Sequence, residues 1–328
     1  MKEEVKDVIG IGALNVDLIY ELSDLTTLKN LRQVSPGSEG TSNPSEFQSI
    51  LKVLKSEGKL VKKSGGGSAA NALYALSRMG LSAGFVGKAG SDAYGDFLLK
   101  ALAPVDTSRV LRDKDSGLCL SLLDKSGERS LLALPNCNND LAFNEIELNY
   151  VNNTRFLHFS SFRGKMPFEA QKRVAKEISS KVKLSFDPGE IYVRKGFEAL
   201  RPIVKRSYII FLSDKEAEIL VGKSWEEACS ELLKYGPKIV ACTVGEKGSY
   251  IFSGHHKIFI APEKVKVVDA TGAGDVYCAG FIAGLLLKLS LEKCGEIASR
   301  AAALSVTGLG RDKYPDKKFL QEALREFA

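Results

Sequence analysis

The sequence predicts an α/β protein built on a mostly parallel sheet with helices on both faces. Two observations predict it. Short apolar runs, several ending in Gly, Pro, Ser or Asp, recur along the chain, and helical patterns fill most of the gaps between them. Strands that alternate with helices imply crossover connections, which cover both faces of a parallel sheet. In such sheets ligands bind beyond the carboxyl ends of the strands.

In chain order, DVIGIGA (Asp7–Ala13) reads as the first buried strand and NVDLIYEL (Asn15–Leu22) as a short second one. Residues 23–57 are polar at first, with a loop at SPGSEGTSNPS, and then turn helical in EFQSILKVLKSEG, where Phe47, Ile50, Leu51 and Leu54 share one face. GKLVKKSGGG (Gly58–Gly67) is another short strand, and its glycines open a helix over Ala69–Met79. Further strands are expected at Leu81–Gly90, Thr154–Phe162, Val182–Gly189, Ser207–Ser213 and Pro237–Gly245. The helical patterns between them are Phe168–Ser180, Arg194–Val204, Asp214–Val221 and Trp225–Lys234. SYIF and KIFI pair about a turn at His255-His256, and Val276–Leu287 is a core helix too short to span a bilayer.

Ser116–Pro135 breaks the alternation, as a hairpin turning at Lys125-Ser126-Gly127. With segments 15–22 and 58–67 it is expected to form a small second sheet, a lid over the large one, within a single domain spanning 1–328.

Composition narrows the function. Hydrophobic residues make up 44% and charged residues 26%, ordinary soluble usage, and the net charge of +6 is spread among interleaved acids. That reads as a solvated surface rather than a nucleic-acid footprint. The N-terminal MKEEVKDVIGIG has no long apolar segment, so neither a secretory signal nor a membrane partner is expected. Six cysteines at 119, 137, 229, 242, 278 and 294 include no C-x-x-C pair, which excludes a zinc knuckle and a thioredoxin motif and fits a reducing cytoplasm.

Several motifs are decoys. Gly10-Ile11-Gly12 follows a strand, but the third glycine of a dinucleotide fingerprint is missing and no second strand delivers an acid about 20 residues on. VGKSW (Val221–Trp225) lacks the first glycine of a P-loop; Gly222 ends one helix there, and Ser224 with Glu227 is expected to form a capping box for the next. His158, His255 and His256 have no metal-ligand spacing, and no G-x-S-x-G elbow is present.

Two stretches carry chemistry. In SGGGSAANALYALSRMG (Ser64–Gly80), glycines let a substrate approach the backbone, and Asn71 in the first turns of the helix has the groups to bond a hydroxyl. In VDATGAGDVYCAGF (Val268–Phe281), Gly272, Ala273 and Gly274 bring amides to a helix N-terminus, a seat for phosphate. Asp275 places a carboxylate beside that seat. Amides that stabilise a transferring phosphoryl group, next to a carboxylate that takes a hydroxyl proton, make a phosphotransfer site.

At this point the chain resembles the PfkB, or ribokinase-like, family of carbohydrate and nucleoside kinases along nearly its whole length. Gly65–Gly95 and Val268–Leu286 match the two family patterns, GALNVD (Gly12–Asp17) the opening substrate strand, and CTVGEKGSYIF (Cys242–Phe252) the nucleotide-side segment. The resemblance implies a three-layer α/β/α sandwich with a small β-sheet lid. It implies Asp275 as catalytic base and Gly272, Ala273 and Gly274 as an anion hole. Asn15, Asp17, Gly66, Gly67 and Asn71 would hold acceptor hydroxyls, and Thr243, Gly245 and Gly248 would line the nucleotide pocket. ATP is the implied donor and Mg²⁺ the cofactor, with Asp269 helping to hold a monovalent cation such as K⁺.

One segment departs from the family. In FLSDKEAEIL, Ser213 stands where the N-x-x-E motif has Asn, so Glu216 is left with a water-mediated role toward magnesium. The expected function is phosphorylation of a primary hydroxyl on a sugar or nucleoside, by a monomer or a homodimer paired through the lid. The insertion at 23–57 raises the nucleoside alternative. A non-catalytic sugar- or nucleotide-binding module on the same fold is the rival, against which the intact GAGD argues.

Overall fold

The computed structural model describes residues 4–22, 39–123 and 129–327. The first part of the chain forms β1 (Lys6–Ile11), β2 (Asn15–Glu21), β3 (Glu39–Thr41), α1 (Pro44–Glu57), β4 (Lys59–Gly66), α2 (Ser68–Arg78), β5 (Ala83–Ala89), α3 (Ala93–Leu102), β6 (Asp106–Arg112), β7 (Gly117–Leu123) and β8 (Arg129–Leu134). Then come α4 (Leu148–Asn152), β9 (Thr154–Ser160), α5 (Lys165–Glu177), β10 (Lys183–Asp187), α6 (Gly189–Val193), α7 (Phe197–Arg206), β11 (Ser207–Ser213), α8 (Asp214–Val221) and α9 (Trp225–Leu232). The chain closes with β12 (Ile239–Thr243), β13 (Ser249–Ser253), β14 (His256–Ile260), α10 (Ala273–Leu286), α11 (Leu291–Ser305) and α12 (Lys317–Glu326).

The large sheet runs β14-β13-β12-β11-β10-β9-β1-β5-β6. It is parallel from β6 to β12, and β13 and β14 are antiparallel additions at one edge. Side chains alternate between its faces, as strand geometry requires. Val8, Ile209, Phe211, Ile239 and Ala241 enter one core, packed with residues of α2, α10 and α11. Ile9, Ile210, Leu212, Val240 and Cys242 enter a second core, with residues of α5, α7, α8 and α9. Two cores on one sheet make the α/β/α sandwich.

A five-stranded sheet, β3-β8-β7-β2-β4, collects four strands from 15–22, 58–67 and 116–135, and β3 as the fifth. Phe47, Ile50, Leu51 and Leu54 of α1 share a core with Leu18, Tyr20, Leu22, Leu120 and Leu122 of this sheet. The apolar stripe of the 23–57 insertion therefore packs within the chain.

The structure differs from the sequence reading in several places. The loop expected at 35–45 contains β3, which pairs in parallel with β8. The turn expected at Lys125-Ser126-Gly127 and the polar stretch read over 23–38 lie outside the described residues. The single helix expected over 194–204 starts only at Phe197, because Gly196 takes φ 82° and separates α7 from the short α6. Ser224 caps α9, but its hydroxyl bonds the Glu227 carboxylate at 2.7 Å instead of accepting from the backbone, so that box does not close. Gly222 does end α8, in the left-handed conformation.

At the carboxyl ends of the parallel strands, Ser160 pairs with Asp187, and Ser213 with Thr243. Strands β9 to β12 thereby present these four residues along one edge.

Candidate active site

The site is built around the first turn of α10. Asp269 folds the approach to that turn. One of its oxygens accepts from the Thr271 amide at 3.0 Å and the other from the Gly310 amide at 3.0 Å, tying the segment before α10 to the loop after α11. Gly272 is the N-cap, at φ 74°. An added Cβ there would lie 2.4 Å from the Tyr314 hydroxyl, so glycine is required for both conformation and space. The Ala273 amide turns back to the Ala270 carbonyl at 3.3 Å, and Val276 bonds Gly272 at 2.9 Å. The Gly274 and Asp275 amides have no partner among the described residues. A Cβ at Gly274 would enter open space.

Asp275 is 9% exposed. Burial pushes its carboxyl up to about 7, against hydrogen bonds from Asn71 and Ser68 and the charge of Arg311, while the Asp17 charge pushes it further up. Asn71 Nδ2 donates to Asp275 Oδ2 at 2.8 Å, and Arg311 Nε donates to Asn71 Oδ1 at 2.9 Å. Asn71 thus links the two glycine motifs, which lie 204 residues apart.

The small sheet brings Asp17 to the same place, with Asn15 two residues earlier on β2. Register pairs Asn15 with Gly66 and Asp17 with Ser64. The Asp17 carboxylate lies where a Cβ on Gly66 would be, at 2.1 Å, so only glycine admits it. Gly67, at φ 101°, is the N-cap of α2. Asn15 Oδ1 accepts from Asn138 Nδ2 at 2.9 Å.

Thr243, Gly245 and Gly248 lie further along the sheet edge. Thr243 ends β12, Gly245 takes φ 54° in the turn that follows, and Gly248 takes φ 98° before β13. Glu216 closes a capping box on α8: its carboxylate accepts from the Ser213 amide at 2.8 Å while the Ser213 hydroxyl accepts from the Glu216 amide at 3.3 Å. Ser213, the departure from the family motif, is therefore the helix cap. Asp187, at the end of β10, feels the charges of both Glu216 and Asp275. Burial and then the charges of those two acids hold its carboxyl well above the usual range, and the Gly189 amide opposes them. Among the described residues no group of three or more His, Cys, Asp or Glu is placed to hold a metal ion.

Asp187, Asn138, Arg311 and Tyr314 carry no motif, and Ser68 falls within the first glycine motif without being singled out, yet all join this constellation. Asp187 was legible only as the polar end of a strand, and Arg311 only as the residue after Gly-Leu-Gly.

Comparison with known proteins decides the family. The profile described as "pfkB family carbohydrate kinase" matches residues 43–316. The chain belongs to the pfkB family of carbohydrate kinases. An "Uncharacterized sugar kinase" of Archaeoglobus fulgidus is 33% identical over 241 residues, 72% of this chain and 95% of that protein. A "5-dehydro-2-deoxygluconokinase" of Clostridium botulinum is 29% identical over 294 residues, 83% of this chain and 87% of that one. The fold is that of the adenosine kinase from Sinorhizobium meliloti, at a TM-score of 0.87 and 23% identity, covering 99% of this chain and 100% of that one.

As a pfkB kinase the protein is a phosphotransferase with an alcohol group as acceptor. ATP is the donor that kinases of this family use. Among the described residues no helix is long and apolar enough to cross a membrane.

Proposed function

We propose that the protein transfers the γ-phosphate of ATP to a primary hydroxyl of a sugar, with Asp275 as general base. The observation that carries this reading is the buried Asp275 carboxylate in the first turn of α10, bonded to Asn71 and beside two amides with no partner among the described residues. An acceptor hydroxyl within reach of Asp275 would lose its proton as the phosphoryl group moves, and the Gly272–Gly274 turn would stabilise the charge on that group. Asp17, with Asn15, Gly66, Gly67 and Asn71, would hold neighbouring hydroxyls under the lid. Thr243, Gly245 and Gly248 would line the nucleotide pocket.

A magnesium ion fits the donor end. The charges of Glu216 and Asp275 raise the Asp187 carboxyl at this edge, and a cation there would relieve that repulsion. Few protein ligands are needed, because Mg²⁺ keeps several waters and binds mainly through the donor's phosphates. Glu216, through water, would face it, and when bound it neutralises charge on those phosphates. K⁺ beside Asp269 is the matching proposal for the loop behind α10, checked by the potassium dependence of turnover.

The names of the sequence relatives favour a sugar acceptor, and the shared fold of an adenosine kinase keeps a nucleoside as the alternative. The stripe of α1 is covered by the small sheet, which favours a monomer over a lid-paired dimer. Free cysteines, most of them buried, fit a cytoplasmic setting. The experiment is ADP release across a panel of sugars, sugar acids, sugar phosphates and nucleosides, with and without chelator. We expect acceptor-dependent turnover that chelator abolishes. Turnover indifferent to chelator would remove the magnesium proposal, and no turnover on any acceptor would favour a binding module.

A further inference from the structure

Arg311 lies in the loop between α11 and α12 and is 8% exposed. A buried guanidinium is costly unless its charge and its donors are used. Its Nε donates to Asn71 Oδ1 at 2.9 Å and its Nη1 to the Ala101 carbonyl at 3.2 Å. The ring of Tyr74 faces the guanidinium, with its centroid 4.8 Å away. The same loop is fastened to the small sheet, since Lys62 Nζ donates to the Leu309 carbonyl at 2.8 Å and pairs with Asp312.

We propose that Arg311 is a positioning residue that sets the orientation of the Asn71 amide and thereby holds Asp275 ready as the base. The inference rests on the reading of Asp275 given above. An arginine side chain only donates, and a carboxylate only accepts. Asn71 stands between one of each. A single orientation of its amide satisfies both: Oδ1 toward Arg311 and Nδ2 toward Asp275, 2.8 Å from Oδ2. Without the guanidinium only the ionised carboxylate selects that orientation, and a protonated carboxyl does not. A turned amide would set its oxygen against the carboxylate oxygen.

Charge acts in the same direction. The groups around Asp275 are Asp17 from β2, Asn71 and Ser68 from α2, Asp187 from the end of β10, Arg311 and Tyr314 from the loop, and Cys278 on its own helix. Arg311 is the cation of this set. It opposes the burial and the acids that favour the protonated carboxyl, which cannot act as a base.

The test uses the full chain with Arg311→Gln and Arg311→Lys, each carrying Asp or Asn at position 275. The apparent pKa of Asp275 is read in two ways: from the pH dependence of the stability difference between the Asp and Asn forms, and from the acid limb of kcat/KM. We expect Arg311→Gln to move both upward by about one pH unit. Arg311→Lys keeps the charge and loses the planar fork, so its limb should stay in place while kcat falls by about tenfold. Nucleotide affinity should be unchanged in both. In Arg311→Gln, a uniform loss of turnover at every pH with the pKa of Asp275 unmoved would mark Arg311 as structural only and overturn the inference. If Arg311→Gln does not fold, a Lys variant with normal kcat overturns it equally. Absent turnover in the unaltered protein would instead sink the kinase reading, and this inference with it.

Discussion

Replacing Asp275 with Asn should make the protein more stable at neutral pH while nearly abolishing turnover. The carboxyl is pushed from 3.8 to about 7 in the folded chain, chiefly by burial. A carboxyl whose folded pKa is raised binds its proton more tightly in the native state than in the unfolded one. That contribution to stability is fully present below the unfolded pKa and is lost as pH rises through the folded value. Asn has nothing to titrate and loses nothing. Between pH 5 and pH 8 about two of the roughly three pH units separating 3.8 from about 7 take effect, so the advantage of Asn should grow by about 2–3 kcal/mol over that range. In a chain of this size that is roughly 5 °C in melting temperature. Asn still accepts a hydrogen bond from Asn71 through its own oxygen, so the local geometry should survive. It cannot take a proton from a hydroxyl, and kcat should fall by about 10²–10⁴. The assay is thermal melting of both proteins across that pH range, beside kcat at saturating substrates and nucleotide titration. A melting difference that does not change with pH would show that Asp275 is not a desolvated carboxylate. A kcat within tenfold of normal would reduce it to a helix-end residue.

Two further outcomes follow from the same geometry. Asp17→Asn should lower kcat/KM for the acceptor by about tenfold or more, the loss expected for one charge-assisted hydrogen bond, and leave nucleotide affinity unchanged by titration. If nucleotide affinity fell and acceptor use did not, the two ends of the site would be reversed. Gly272→Ala places a Cβ 2.4 Å from the Tyr314 hydroxyl in a backbone at φ 74°, so it should cost about 1–3 kcal/mol in unfolding experiments and reduce turnover more than hundredfold. Near-normal stability and turnover would mean that the turn before α10 is not the constrained element described above.

What could be read from the sequence follows from how local each cause is. Strands β1, β5, β9, β10, β11 and β12 are visible because a strand buried on both faces is a mostly apolar run. The half-buried edge strand β6, DTSRVLR, has no such run and is not. The short β3, EGT, exists only because β8 lies beside it, and no propensity in three residues records that. The site divides along the same line. Gly272 and Gly66 announce themselves because a backbone conformation or a close approach demands glycine at that position, a demand written into one residue. Asn71 shows another limit. Its polar groups mark it for a hydroxyl, but no local signal tells that the fold also sets its amide between Asp275 and Arg311, residues 204 and 240 positions away. Arg311 was invisible for the corresponding reason: a buried guanidinium is stable only where a distant carbonyl, a distant amide and a ring converge on it, and none of these lies in its own segment. The anchors of the chemistry are local and legible, but the groups that orient them are tertiary. Variation among related kinases should therefore be sought first in the loop between α11 and α12, where a single side chain sets the amide beside the base without touching the glycine motifs.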